Sequence, residues 1–392
     1  MNKIAIIGGG PAGLMCAITA KRNQPALDIT IYEKNDIGST LLPTGGGRCN
    51  LSFNEDDIKT FAQNYPRGEK FLYSIFNQFF VPETINFFNS IGIKTYIQED
   101  NRIFPTTNKS LNVIFALKNE IKHLEINVIN EEVKSIKPQN DKFKINDKFY
   151  DIAVIATGGH NSGILSTIKA LGHNIVPLKP ALCALEIEQK QFSAISGVCL
   201  KNISAATTLN KKHYSLKNNL LFTHKGISGP LAYIISSLFA RDNYSPQNPI
   251  KLSLNFIEDE KLNLQKELEL NSQKEVLNYI SNFMPKSLAK IILNDLNIST
   301  NKKCHQINKE ERNKLKKALT SFELSIINPL KEGEIVSSGG ISLDEINPKT
   351  MESKIVSGLY FCGEVLDIDG FCGGFNLQNC WSTGYIAGKS LS

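Results

Sequence analysis

Residues 3–34 read KIAIIGGGPAGLMCAITAKRNQPALDITIYEK, and the order of their apolar and glycine residues predicts the fold of this part of the chain. The apolar run at residues 3–7 is typical of a buried parallel strand, and the helical spacing after the glycines predicts a helix. A second apolar strand follows and ends at Glu33, twenty residues beyond Gly13. A strand, a glycine-rich turn, a helix and a strand with a terminal acid together indicate a dinucleotide-binding unit.

Each glycine of this turn has a separate task. Gly8 permits the tight turn, Gly10 lets the backbone approach a pyrophosphate, and Gly13 lets the helix pack closely on the strand. The helix N-terminus offers free N–H groups to the phosphates, and Glu33 can accept hydrogen bonds from the ribose hydroxyls. The residues predicted to hold the nucleotide here are Gly8, Gly10, Pro11, Ala12, Gly13, Glu33 and Lys34.

Three later segments favour FAD over NAD. An apolar strand at 150–155 leads into Thr157 and Gly158, and another at 357–362 leads into Gly363 and Glu364. A Gly-Gly pair then precedes a C-terminal helix, predicted to be amphipathic. In a flavin domain such a helix N-terminus stabilises negative charge on the reduced ring. The predicted cofactor residues in these segments are Thr157, Gly158, Gly363, Glu364, Gly374, Phe375, Asn376 and Leu377.

The loop PTGGGRCN, residues 43–50, follows the second nucleotide strand. Consecutive glycines are entropically costly to order, so the loop indicates a place where something approaches the backbone closely. Beside a flavin, the glycines would lie against the flat ring, Arg48 would neutralise charge and Asn50 would donate to a ring carbonyl. The alternative is a flexible surface loop. The predicted contacts are Gly46, Gly47, Arg48, Cys49 and Asn50.

Four stretches together resemble one known family. They are GGGPAGLMCA, PTGGGRCNLS, LFTHKGISGP and GLYFCGEVLDIDGFCGGFNLQNCWSTG, spread over essentially the whole chain. The family is the YhiN-like flavoproteins, also called aminoacetone-oxidase-like or BaiN-type FAD-dependent oxidoreductases. The resemblance implies an α/β fold: a glutathione-reductase-like Rossmann FAD domain, interrupted by an inserted β-barrel and a helical part. It also implies oxidoreductase activity, and one branch of the family is linked to the reduction of enones in bile-acid breakdown.

The rest of the chain fits a discontinuous FAD domain. We assign residues 1–180 and 336–392 to that domain, 181–257 and 321–335 to a β-barrel-like insert, and 258–320 to a helical subdomain. The segment 101–110 is predicted to be a loop, and 126–147 to be a β-meander. Domains of this type cover the adenine with the latter segment, and Val133 is the predicted backbone contact there.

Composition sets limits on the function. The formal charge of +6 is small for 392 residues, so a nucleic-acid partner is judged unlikely. The cysteines are sparse and form no CxxC pair, no metal-ligand spacing is present, and no apolar run is long enough for a membrane span. We therefore expect a cytoplasmic protein without a metal, acting on a small molecule. The sequence does not indicate the oligomeric state.

Two residues are candidates for the chemistry itself. His224 could donate a proton over the flavin, although a structural or solvated histidine is at least as good an interpretation. Cys372 could lie near the flavin, although an inert thiol is favoured. No second strand-GxGxxG-helix unit is visible, so NAD(P)H would enter the flavin cleft only transiently. The alternative function is a flavin-containing binding protein or a protein associated with RNA modification.

Overall fold

The computed structural model describes residues 2–159, 163–258, 262–330 and 336–391. It divides the chain into two compact units, Met1–Lys179 with Val336–Ser392, and Pro180–Ile335. Residues 331–335, which the sequence assigns to the barrel-like insert, lie outside the described residues. The first unit contains both the N-terminal and the C-terminal segments of the chain.

The helices of the first unit are α1 (Pro11–Asn23), α2 (Ile58–Ala62), α3 (Glu69–Phe76), α4 (Val81–Ser90), α5 (Ser110–His123), α6 (Ile164–Ala170) and α12 (Phe375–Ser390). Those of the second unit are α7 (Pro230–Leu238), α8 (Leu264–Leu270), α9 (Val276–Ile280), α10 (Lys286–Asp295) and α11 (Lys309–Thr320).

The strands up to residue 181 are β1 (Lys3–Ile7), β2 (Asp28–Tyr32), β3 (Ser52–Phe53), β4 (Thr95–Ile97), β5 (Arg102–Pro105), β6 (Asn127–Ile129), β7 (Ile136–Gln139), β8 (Lys142–Ile145), β9 (Lys148–Tyr150), β10 (Ile152–Ile155) and β11 (Ile175–Ala181). The later strands are β12 (Ala184–Ile187), β13 (Cys199–Leu209), β14 (Lys212–Phe222), β15 (Gly226–Ser228), β16 (Ile250–Asn255), β17 (Phe322–Leu330), β18 (Val336–Ile341) and β19 (Leu359–Phe361).

A parallel sheet organises the first unit, with the strand order β19-β10-β1-β2-β6. Ile4 pairs with Ile29 on one side and with Ile152 on the other, so β1 is central. Its residues Ile4 to Ile6 are completely buried, as expected for a parallel strand covered on both faces. This order brings the ends of β1, β2, β10 and β19 to one edge, where the predicted nucleotide residues follow.

Helix α12 packs against α1 at backbone distance. A Cβ atom on Gly384 would lie 2.5 Å from the Ala12 carbonyl oxygen, and one on Gly388 would lie 2.4 Å from that of Cys16. Only glycine fits such contacts, because real Cβ atoms do not approach a carbonyl so closely. Helix α12 was predicted to be amphipathic, but most of its residues are buried. The polar residues Gln378, Asn379, Ser382 and Thr383 are buried with them.

Two segments of the first unit differ from their predictions. The predicted loop at 101–110 contains β5, which pairs with β3 and β4 in a small antiparallel sheet. The predicted meander at 126–147 is divided, because β6 joins the parallel sheet beside β2. Strand β8 instead pairs antiparallel with β7 on one side and with β9 on the other. The local alternation of residues did not reveal that β6 has a parallel partner distant in sequence.

The second unit contains a closed barrel with the strand order β12-β15-β14-β13-β16-β17. Inward-facing residues such as Leu185, Leu252 and Leu324 are completely buried. Helices α8 to α11 lie between β16 and β17 in the chain. Throughout the described ranges, we find no helix that is both long and apolar enough to cross a membrane.

Candidate functional site

The turn after β1 has the close contacts that its glycines predict. Gly8 has a φ of +111°, and a Cβ atom there would lie 2.3 Å from the Ala156 carbonyl oxygen. A Cβ atom on Gly13 would lie 2.0 Å from the carbonyl oxygen of Gly8 itself. Any side chain at either position would therefore push the turn away from α1 or from the end of β10.

The N-terminus of α1 is open on the side of Gly10. Gly10 is the N-cap residue, no side chain caps the helix, and Pro11 occupies its first turn. The nearest atom to a Cβ built on Gly10 is the Thr40 hydroxyl oxygen, at 3.6 Å. Because free N–H groups and the helix dipole attract anions, this end of α1 can hold a pyrophosphate.

Glu33 lies at the end of β2 and faces the glycine turn. Its carboxylate accepts hydrogen bonds from the backbone N–H groups of Gly9, at 2.8 Å, and Asn35, at 2.9 Å. A carboxylate has about four lone-pair sites, so capacity remains for ribose hydroxyls. The neighbouring Lys34 is exposed and lies 3.7 Å from Glu132, which is a solvent-screened ion pair.

The loop at residues 43–50 has an unusual backbone. Gly45, Gly46, Gly47 and Cys49 all have positive φ values, between +58° and +84°. Gly45 is packed tightly, since a Cβ atom there would lie 2.9 Å from the Phe104 ring. Gly46 is exposed, and a Cβ atom there would meet no described atom within 4 Å. The loop is therefore anchored at Gly45 and leaves space at Gly46 that a flat ligand could occupy.

Arg48 fixes this loop against β5. Its guanidinium lies 4.0 Å from the centre of the Phe104 ring and donates to the Gln98 side-chain oxygen at 3.0 Å. Its Nε donates to the Gly45 carbonyl at 3.3 Å. The positive charge is thus held in place by stacking and hydrogen bonds, without an acidic partner among these contacts.

The two residues after Arg48 are buried. Burial raises the pKa of the Cys49 thiol to about 12, with a hydrogen bond to Thr44 opposing the shift. Such a thiol stays protonated and unreactive. Asn50 is also buried, and its side-chain oxygen has no hydrogen-bond partner in the part of the chain that the structure describes. A buried unpaired amide oxygen is costly, which is consistent with a missing ligand donor.

The segment after β19 lies against the start of α1. The backbone N–H of Gly363 donates to the Thr383 hydroxyl at 2.9 Å, and a Cβ atom on Gly363 would lie 2.7 Å from that of Ala12. Glu364 accepts a hydrogen bond from the Ser337 N–H at 2.9 Å. The C-terminal segment therefore reaches the same helix end as the glycine turn.

Helix α12 begins beside β3, since a Cβ atom on Gly374 would lie 2.5 Å from the Ser52 carbonyl oxygen. Gly374 is its N-cap with a φ of +103°, and no side chain caps the helix. The Phe375 ring is buried beside Phe61, and the Asn376 side chain bonds to Gly370 at 2.8 Å. The side chains of Phe375 and Asn376 are therefore engaged within the protein, whereas that of Leu377 is half-buried, and the N–H groups of this first turn have no side-chain cap.

Cys372 lies in the loop that leads into α12, and its residue is exposed. The surrounding protein nevertheless raises the pKa of its thiol by desolvation, while Arg102 opposes the shift. Arg102 also lies 5.4 Å from the Phe104 ring centre, on which Arg48 stacks. The loop itself is tied down by Asp369, which is fully buried and forms a bidentate ion pair with Arg67.

Three other predicted positions lie at the ends of sheet strands. Thr157 and Gly158 follow β10, and a Cβ atom on Gly158 would meet no described atom within 4 Å. Val133 is buried and follows β6, which lies next to β2. These positions therefore lie on segments that extend from the same sheet as Glu33.

His224 belongs to the second unit. The sequence suggested a turn before a helix, but His224 is exposed in the turn between β14 and β15, with α7 starting only at Pro230. The Thr223 hydroxyl holds this turn by accepting from the Gly226 N–H at 3.1 Å. His224 lines a small hollow with Lys190, Phe192 and other residues of the barrel unit.

Several residues of this site were missed in the sequence. Phe104 and Gln98 support Arg48 from the small antiparallel sheet, and the turn-forming sequence Asp100-Asn101 was the available signal for this hairpin. Gln378 is completely buried and bonds to Ser52 at 2.7 Å. No local signal indicates that polar pair, because it joins α12 to β3 across 326 positions of sequence.

These features fit FAD. The two open helix N-termini suit a pyrophosphate and an electron-rich ring edge, Glu33 suits a ribose, and the open side of Gly46 suits a planar ring. Among the described residues, no group of three histidine, cysteine or acidic side chains could hold a metal ion.

Comparison with known proteins supports the same assignment. The family described as HI0933-like protein Rossmann domain matches residues 2–390. A 3-dehydro-bile acid delta(4,6)-reductase of Clostridium scindens is 29% identical, covering 100% of this chain and 99% of its own. A ribosomal RNA dihydrouridine synthase of Haemophilus influenzae is 28% identical, covering 99% and 98%, and one of Escherichia coli is 25% identical, covering 98% and 97%.

A solved structure supports the fold alone. A flavocytochrome c3 fumarate reductase in its open conformation has a TM-score of 0.51 and 13% identity, covering 99% of this chain and 78% of the other. The Rossmann-type architecture is thus shared with a flavoprotein of very different sequence. The chain belongs to the HI0933-like family and is an FAD-dependent oxidoreductase of the YhiN-like and BaiN-type group that its sequence resembles.

Proposed function

We propose that this enzyme reduces a carbon–carbon double bond conjugated to a carbonyl group. The observation that carries the proposal is that relatives matching the whole chain are named for reactions on the same type of bond. A 3-dehydro-bile acid with delta(4,6) unsaturation is a conjugated ketone, and dihydrouridine is uridine whose conjugated ring double bond is saturated. In the reaction proposed for this chain, a hydride adds to the carbon remote from the carbonyl and a proton adds to the carbon beside it.

The residues described above divide the work. When bound, FAD supplies the ring that accepts a hydride from a donor and passes it to the substrate. The open N-terminus of α12 favours negative charge on a ring edge placed there, and Arg48 adds a fixed positive charge. The open N-terminus of α1 and the Glu33 carboxylate hold the pyrophosphate and a ribose.

The proton for the second carbon needs a donor, for which Cys372 and His224 are the candidates. Desolvation raises the pKa of the Cys372 thiol, so the group stays protonated at neutral pH, although the residue as a whole is exposed. His224 is an exposed side chain of the barrel unit. Cys372→Ser and His224→Gln distinguish them, because loss of the proton donor slows product formation without preventing reduction of the flavin by its donor.

The hydride donor in this proposal is NAD(P)H, which binds transiently. The chain carries one strand-glycine turn-helix unit of the dinucleotide type, at residues 3–34, and its predicted ligand is FAD. The NAD(P)H would then bind, reduce the flavin and leave before the substrate binds, as in ping-pong kinetics. Parallel lines in double-reciprocal plots would support this order, and intersecting lines would contradict it.

Substrate class separates two versions of the proposal. One is a free small-molecule enone, as the bile-acid reductase relative suggests. The other is a uracil base within RNA, which accords with the alternative raised by the sequence and with two relatives named as ribosomal RNA dihydrouridine synthases. Both versions require the same flavin chemistry and the same type of bond.

The test is an anaerobic reduction and reoxidation experiment on the purified protein loaded with FAD. NADH or NADPH should bleach the visible flavin band, and 2-cyclohexenone or a uridine-containing RNA should restore it, whereas the saturated ketone should not. Restoration by oxygen alone, with neither conjugated compound acting, would contradict the proposal. Mass spectrometry of the product should show a gain of two hydrogens.

A further inference from the structure

The surplus of basic over acidic residues in this protein belongs to one unit. The barrel-containing unit, residues 180–335, has 21 lysines and arginines against 15 acidic residues, whereas the first unit is balanced at 23 of each. The entire surplus of six therefore belongs to the second unit. The total charge of the chain, from which a nucleic-acid partner was judged unlikely, conceals this uneven distribution.

Within the second unit, the surplus is concentrated further. Residues 189–241 contain seven lysines and arginines, two histidines and no aspartate or glutamate. This segment includes the long hairpin of β13 and β14, which is joined by the turn at Asn210 and Lys211. Helix α11, by comparison, carries Glu310 and Glu311 in its first turn, and Glu310 pairs with Lys314.

Four lysines of the hairpin are exposed: Lys201, Lys211, Lys212 and Lys217. Across the described residues, none of the four forms an ion pair, although Lys190 and Lys251 of the same unit pair with Glu186 and Glu323. Each strand has 11 residues, so at about 3.4 Å per residue the lysines are distributed along a ribbon of roughly 35 Å. That is a spacing over which an extended polyanion makes several contacts.

The exposed side chains between these lysines are mostly small and polar, with His213 as a larger exception that contacts the Thr208 hydroxyl at 2.9 Å. They include Thr208, Asn210 and Ser215, which can donate hydrogen bonds to phosphate or ribose oxygens. The large exposed apolar residues of the described chain are elsewhere, and none lies in residues 199–222. A membrane-binding surface combines basic residues with apolar anchors, so this composition favours a nucleic acid over a lipid surface.

We propose that the β13–β14 hairpin is an RNA-docking surface whose lysines contact the phosphate backbone. This inference rests on the proposed function and deepens it, because it makes RNA the molecule that carries the conjugated double bond. The hairpin supplies affinity that does not depend on the nucleotide sequence of the RNA. The flavin site selects the base to be reduced.

The test measures binding of a fluorescent 30-nucleotide single-stranded oligouridine to the FAD-loaded protein between 50 and 200 mM salt. The hairpin variant carries Lys201→Gln, Lys211→Gln, Lys212→Gln and Lys217→Gln. Its matched control carries Gln at four exposed lysines of α11 in the same unit: Lys309, Lys314, Lys316 and Lys317. Thermal unfolding and flavin content establish that both variants are folded.

We expect the hairpin variant to bind RNA about tenfold or more weakly. Its plot of log affinity against log salt should be shallower by about 3, since each lysine on single-stranded nucleic acid contributes roughly 0.7 to the slope. The α11 variant should keep most of the affinity and slope. Equal losses in the two variants, or no RNA binding by the unaltered protein, would overturn the proposal.

Two further arms separate this inference from the chemistry. Vesicles with anionic phospholipid replace the RNA in one arm, and hairpin-dependent binding to vesicles but not to RNA would overturn the inference. In the other arm, 2-cyclohexenone reoxidises the reduced flavin, and the hairpin variant should do this at the unaltered rate. Loss of RNA binding with intact reoxidation supports the docking surface, whereas absent reoxidation in the unaltered protein defeats only the proposed reaction.

Discussion

The guanidinium of Arg48 lies over Phe104, 4.0 Å from the ring centre, and this contact joins the triple-glycine loop to strand β5. The same side chain holds Gly45 and Gln98 by hydrogen bonds. The stacking therefore does two things at once: it shapes the loop and it fixes a positive charge beside the open face of Gly46. Substitutions can separate these two effects.

Replacing Arg48 with alanine should lower the reduction potential of the bound flavin. A fixed positive charge favours the reduced anionic ring, and a charge within about 10 Å at an effective dielectric constant of about 20 contributes ~1–2 kcal/mol. For a two-electron couple this corresponds to a fall of roughly 20–40 mV. Spectroelectrochemical titration measures the shift. Arg48→Lys keeps the charge and should keep the potential, so an equal fall in both variants would count against an electrostatic role.

Replacing Gly46 with valine should abolish FAD binding while the protein remains folded. Gly46 has a φ of +68°, and the space beside it is open to a ligand. The matched control is Gly92→Val, because Gly92 has a φ of +83° and equally open surroundings at the end of α4. Both variants bear similar backbone strain, of about 1–2 kcal/mol. Only the Gly46 variant should be colourless after purification, and a yellow Gly46 variant would place the loop away from the cofactor.

Replacing Glu33 with alanine should weaken FAD binding by about 10- to 100-fold, because hydrogen bonds to a charged group contribute roughly 1.5–3 kcal/mol. Titration of the apoprotein with FAD measures the affinity. Asp28→Ala, at the exposed start of the same strand, is the control. FMN lacks the adenosine half, so its weaker binding should be unaltered if Glu33 holds that ribose. An equal loss for FMN would mean that Glu33 acts only by holding Gly9 and Asn35.

The buried thiol of Cys49 should make the protein less stable in alkali. Burial raises its pKa to about 12 from an ordinary 9.0, so the folded protein keeps a proton that the unfolded chain releases. The stabilisation is complete below pH 9 and is lost as pH rises towards the folded-state pKa. Between pH 8 and pH 10.5 the thiol should account for about 2 kcal/mol of lost stability. Urea unfolding of Cys49→Ala at both pH values should show a decline smaller by that amount, and an identical decline would contradict it.

The parallel strand and glycine turn illustrate what local sequence can reveal. Residues 4–7 are apolar because a central parallel strand is buried on both faces, and the spacing of Gly8, Gly10 and Gly13 reflects contacts made within one short unit. The C-terminal strand and α12 could be anticipated for the same reason, as an apolar run followed by a Gly-Gly pair. The internal polarity of α12 could not, since partners such as Ser52 and Thr84 are distant in sequence.

Residue order was enough to predict the dinucleotide unit, the flavin class and the family, because those depend on residue types at fixed short spacings. Tertiary structure alone decided that Arg48 stacks on Phe104, that Asn50 retains an unpaired buried oxygen, and that His224 lies in a strand-to-strand turn. It also decided that four lysines without an ion pair share one hairpin. The Arg48 contact joins its loop to the distant strand β5, whereas the hairpin and the turn of His224 join consecutive strands. These relationships depend on packing and burial, for which local periodicity and spacing carry no information.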